Sequence, residues 1–128
     1  MSYFPSDTKK IIKDLDKKTL LSCLEKMLLI RNFEVRAELA YQMGKVGGFF
    51  HAYTGQEAIQ VASVQAIGVK NWWATSYRCH ALALLLGATP NELMAELYGK
   101  ETGNAKGPVG RNPVRTRPVA SGAATVPS

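Results

Sequence analysis

Two short stretches hold the residue types that could do chemistry. In "GGFFHAYTGQEA", residues 47–58, His51 follows a glycine pair and sits among Phe49, Phe50 and Tyr53. A histidine titrates near neutral pH, so it can pass a proton or stabilise developing charge. A lone histidine is more often structural than catalytic, and its setting is what singles this one out. The glycine turn puts it near a loop, where sites are commonly built. Aromatic neighbours can desolvate the ring and favour its neutral form. The helix start expected just after it favours anions.

The second stretch is "TSYRCH", residues 75–80. Tyr77 and Arg78 stand side by side between an expected strand and an expected helix. Strand ends of α/β sheets are where ligands usually sit. The arginine's planar fork of donors matches phosphate or carboxylate. The alternative is a surface arginine beside a core tyrosine, and the residue types alone leave both open. His80 reads as a packed or capping histidine rather than a ligand. With two histidines, and with Cys23 and Cys79 at no metal or disulfide spacing, no zinc site is expected and both thiols read as reduced. "GNAKG" fits neither a Walker nor a dinucleotide spacing.

These residues need elements to hold them. Residues 1–15 form a polar lead with Ile11, Ile12 and Leu15 as apolar anchors. Asp16 can cap a long helix whose apolar stripe (Leu20, Leu21, Leu24, Met27, Leu28, Phe33, Val35, Ala37, Leu39, Ala40) is wide enough to be largely buried. Gly44, Gly47 and Gly48 end it. Thr54 and Glu57 have the spacing of a capping box for a second, small-residue helix. The β-formers Trp72, Trp73 and Thr75 predict one short strand near 72–76. "CHALALLLG" predicts a buried helix closed by Gly87. "TPNELMAELYG" predicts another, with Thr89 as cap, Pro90 at the first position, Glu92 completing the box and Gly99 as stop.

The bulk properties narrow the class. The chain has 128 residues, 46% of them hydrophobic and 20% charged, which suits one domain or a piece of one. It contains no apolar run able to cross a membrane, and its first residues are not a secretory signal, so a bacterial cytoplasm is the expected location. The net charge of +6 suggests nucleic acid at first sight. But Arg111, Arg115 and Arg117 lie in a tail without acids, and no basic stripe with interleaved aromatics occurs elsewhere. Neither nucleic acid nor membrane is therefore an expected partner. The segment from Gly107 on has four prolines and no Leu, Ile, Met, Phe, Tyr or Trp, a composition of disorder.

"MLLIRNFEVRAELAYQMGKVGGFFHAYTGQEA", "TSYRCHALALLLG" and "NELMAELYGKETGNAKG" together resemble the start of α subunits of thiamine-diphosphate-dependent 2-oxo acid dehydrogenases. Within that family the stretches resemble the pyruvate dehydrogenase decarboxylating component. The resemblance covers about residues 16–107. It implies an α/β thiamine-diphosphate-binding fold, incomplete here and mostly helical in the part present. It implies that His51 lines the active site with Phe49 as an apolar wall, and that Tyr77 and Arg78 help bind cofactor and substrate, the arginine facing the diphosphate. The implied reaction is oxidative decarboxylation of pyruvate with acetyl transfer to the lipoyl group of an acyltransferase component, towards acetyl-CoA. The implied partner is a β subunit in an α2β2 assembly.

The family continues with a "GGSMH"-like segment and later a "GDG…N" motif that ligates the cofactor's Mg²⁺, and neither occurs here. The expectation is a fragment, truncated or frameshifted after about Gly107, with residues 108–128 non-native or disordered. Such a fragment is expected to be inactive alone. Two other readings stand beside it: a branched-chain 2-oxo acid or acetoin dehydrogenase α subunit, and a small helical binding module with a basic tail.

Overall fold

A computed structural model describes residues 15–104. The lead before Leu15 and the tail after Gly107 lie outside the described residues. Among the described residues four helices are formed: α1 (Lys17–Gln42), α2 (Glu57–Ile67), α3 (His80–Leu85) and α4 (Pro90–Leu97). α1 packs against the other three, and α2 also packs against α3.

Local chemistry sets most of the ends. Asp16 caps α1: its carboxylate accepts from the Thr19 N–H at 2.6 Å and from the Thr19 hydroxyl at 3.0 Å. Gly44, at φ 68°, turns the chain out of α1. α4 opens on the expected capping box: Thr89 Oγ1 accepts from the Glu92 N–H, and the Glu92 carboxylate accepts from the Thr89 N–H. Gly87 (φ 107°) follows α3 and Gly99 (φ 63°) follows α4, as the sequence predicts.

The other expected capping box does not form. α2 begins at Glu57 itself, after Gln56, whose side chain makes no cap. The Glu57 carboxylate accepts instead from the Gly55 N–H, 3.1 Å from both oxygens, and from the Arg31 guanidinium of α1. Both bonds are charge-assisted, but the guanidinium brings a full positive charge and a pair of N–H donors, one to each oxygen. It draws the carboxylate into a tertiary contact.

The expected strand is absent too. Residues 72–76 are irregular, and no strand occurs among the described residues. The aromatic and β-branched residues there favour a pleated surface, but a strand needs a ladder partner. The α/β class expected from the sequence is therefore not realised in residues 15–104, which are helical and loop.

The core joins Ile30, Phe33 and Ala37 of α1, Val61 of α2, Ala81 and Leu84 of α3, Leu93 of α4 and the loop residue Tyr53. The apolar stripe of α1 is wider than this core. Leu21, Leu24, Leu28, Val35 and Leu39 all lie exposed, turned away from Ile30 and Ala37. The expectation that the stripe is largely buried holds only for one face, because three short helices cannot cover two.

Candidate functional site

Two loops meet beside the core. The first, residues 47–56, leaves α1 after the glycine turn and enters α2. The second, residues 71–79, joins α2 to α3. His51 on the first and Tyr77 on the second touch edge to face, with ring centroids 4.7 Å apart and planes at 60°. The Arg78 guanidinium carbon lies 5.5 Å from the Tyr77 ring centroid, a cation–π distance. Three of the four residues singled out in the sequence are thus one cluster. His51 and Tyr77 are exposed and Arg78 is half-buried. The desolvation of His51 anticipated from its aromatic neighbours is not supplied by the described residues.

The fourth, Phe49, is 91% exposed and is no wall to anything described. Its neighbours went elsewhere. Phe50 stacks on His80 at 5.4 Å and 12°, and touches Tyr41 at 5.9 Å. Tyr53 is a core residue whose hydroxyl is pushed up in pKa chiefly by burial, then by the charges of Glu57 and Glu34.

The electrostatics favour an anion at Arg78. Its Nε is buried and has no hydrogen-bond partner among the described residues. A buried donor left unpaired is costly, so it is a natural place for an oxygen acceptor. A metal has no such place: among the described residues no group of three or more His, Cys, Asp or Glu side chains could hold one. Neither Cys23 nor Cys79 forms a disulfide, and burial, with Glu34 adding to it, pushes the Cys79 thiol up towards its protonated form. No helix among the described residues is long and apolar enough to cross a membrane.

Behind the cluster lies a pair that residue types alone do not single out. Glu34 of α1 is wholly buried, and its Oε1 is 3.0 Å from Nδ1 of His80. The imidazole also meets Phe33 edge-on at 5.9 Å. His80 is packed, as the sequence predicts. The buried acid had one sequence signal: Glu34 shares a helical face with Ile30 and Ala37, a core position held by a charge.

The model of the dehydrogenase E1 component family matches residues 25–125. The chain belongs to this family. Among curated E1 relatives, it is 43% identical over 94 residues to the pyruvate dehydrogenase E1 component subunit alpha of Porphyra purpurea, covering 73% of this chain and 27% of that protein. The protein of the same name from Rickettsia prowazekii is 44% identical over 92 residues, 71% of this chain and 28% of its own length. That from Rhizobium meliloti is 41% identical over 96 residues, 75% and 28%. The chain thus spans little more than a quarter of the E1 α subunits it matches.

Proposed function

We propose that the chain supplies the α-subunit side of a pyruvate dehydrogenase site, the enzyme that oxidatively decarboxylates pyruvate and passes the acetyl group to a lipoyl acyltransferase. The observation that carries this reading is the convergence of His51, Tyr77 and Arg78 from two separate loops. The names of the relatives support pyruvate as the 2-oxo acid.

The residues fit the anionic part of thiamine diphosphate. Arg78 would offer its half-buried guanidinium to a phosphate oxygen, beside the exposed ring of Tyr77. Mg²⁺, where the cofactor is bound, would be held by oxygen ligands, and among the described residues no cluster of three or more His, Cys, Asp or Glu side chains is gathered for it. When bound, thiamine diphosphate supplies the electron sink for loss of carbon dioxide. On this reading His51, in ring contact with Tyr77, would hold or pass a proton at the oxygen of the 2-oxo acid. The β subunit of an α2β2 assembly closes the site from the other side. On this reading the chain by itself is inactive.

The test is His51→Ala in the α subunit carrying these residues, assembled with its β subunit. Pyruvate decarboxylation should fall by roughly 10²-fold or more in kcat, with the assembly intact by sizing. A variant with unchanged kcat removes His51 from the reaction.

A further inference from the structure

The pair behind the cluster has a geometry that storage of stability does not explain. Glu34 is 0% exposed, and its second oxygen, Oε2, is buried with no hydrogen-bond partner among the described residues. A half-satisfied buried carboxylate is worse for stability than an apolar side chain of the same volume. Among the described residues its other oxygen, Oε1, bonds to His80 Nδ1. His80 is where the two loops are tied. Its ring stacks on Phe50, the residue before His51, and it stands two residues after Arg78 on the same segment. These links close a circuit: Phe50 joins His51 through the backbone, His51 meets Tyr77, the chain runs from Tyr77 through Arg78 to His80, and His80 returns to Phe50. Glu34 fixes that circuit to α1.

We infer that Glu34 and His80 are positioning residues for the proposed site. The acid locks the His80 ring, and the ring's stack on Phe50 sets the register at which His51 meets Tyr77 and Arg78. The pairing of the His51 and Tyr77 rings does not itself depend on the functional reading, but its value to catalysis rests on it.

The experiment uses the full chain with labelled histidine, since its two imidazoles are those of His51 and His80. The parent should show a nuclear Overhauser effect between the His51 and Tyr77 rings. Glu34→Met, which fills the same volume without the bond, should abolish that effect while its thermal midpoint stays level or rises. Glu34→Gln, whose amide oxygen can still accept from Nδ1–H, should keep it. His80→Phe, which keeps the stack but not the bond, should also abolish it, and it reads the same bond if the methionine variant does not fold. An Overhauser effect that survives in Glu34→Met or His80→Phe overturns the inference. So does one that weakens only in proportion to stability, which is what a merely structural pair would give. In the assembled enzyme, Glu34→Met should weaken thiamine diphosphate binding roughly tenfold or more, about the loss of one charge-assisted hydrogen bond. If Arg78→Ala binds that compound as tightly as the parent, the functional reading fails while the Overhauser result stands.

Discussion

Glu57 links the site loop to α1 through a single charged contact. It is buried, it accepts from the Gly55 N–H, and it pairs with the half-exposed Arg31. The bond from Arg31 is the main cause that lowers its pKa from 4.5 to about 2 against the opposing effect of burial. An acid whose pKa falls on folding stabilises the fold fully above its unfolded value. That contribution is lost as pH falls from the ordinary carboxylate range towards about 2. Glu57→Gln should therefore be less stable than the parent at neutral pH, and the gap between their thermal midpoints should close as pH drops through that window. Parallel curves would mean that the pair contributes no charge-dependent stability.

At the scale of elements, the turn after α4 is held by close packing rather than by backbone freedom. A Cβ on Gly103 would lie 2.7 Å from both the Cα and the N of Glu96. Neither backbone atom can move without disturbing α4, so Gly103→Ala should destabilise by about 1–3 kcal/mol, read from denaturant unfolding. A change near zero would mean that the turn has room that the structure does not show. The sequence displays "KETGNAKG" as a glycine-bounded loop, but not that one glycine sits against a helix backbone. The four helices and their stops at Gly44, Gly87 and Gly99 are legible because helix periodicity and caps are local signals. The cap at Thr89 follows the same logic. The cap at Thr54 does not, because Arg31, distant in sequence, competes for Glu57. The strand expected at 72–76 fails for a related reason: propensity is local, whereas a strand requires a partner.

At the scale of the molecule, the chain is a quarter-length portion of the E1 relatives that it matches. The second apolar face of α1, through Leu21, Leu24, Leu28, Val35 and Leu39, stays uncovered among the described residues. The meeting of the candidate residues is legible in part. His51, Tyr77 and Arg78 can be chosen by residue type and flanking turns, and they meet in space. Phe49 cannot be ranked against Phe50 by type, because only the packing decides which of two adjacent phenylalanines enters the core. Glu34 is one of three acids on α1, with Glu25 and Glu38, and only the face it shares with Ile30 and Ala37 sets it apart. The central claim is that Arg78 holds the diphosphate end of thiamine diphosphate. The most direct test titrates that compound, with Mg²⁺, into the assembled α and β subunits of the parent, Arg78→Lys and Arg78→Ala. Loss of a charge-assisted bond predicts that Arg78→Ala binds roughly 10- to 100-fold more weakly, with Arg78→Lys in between because it keeps the charge but not the fork. Equal affinity in all three would contradict the account.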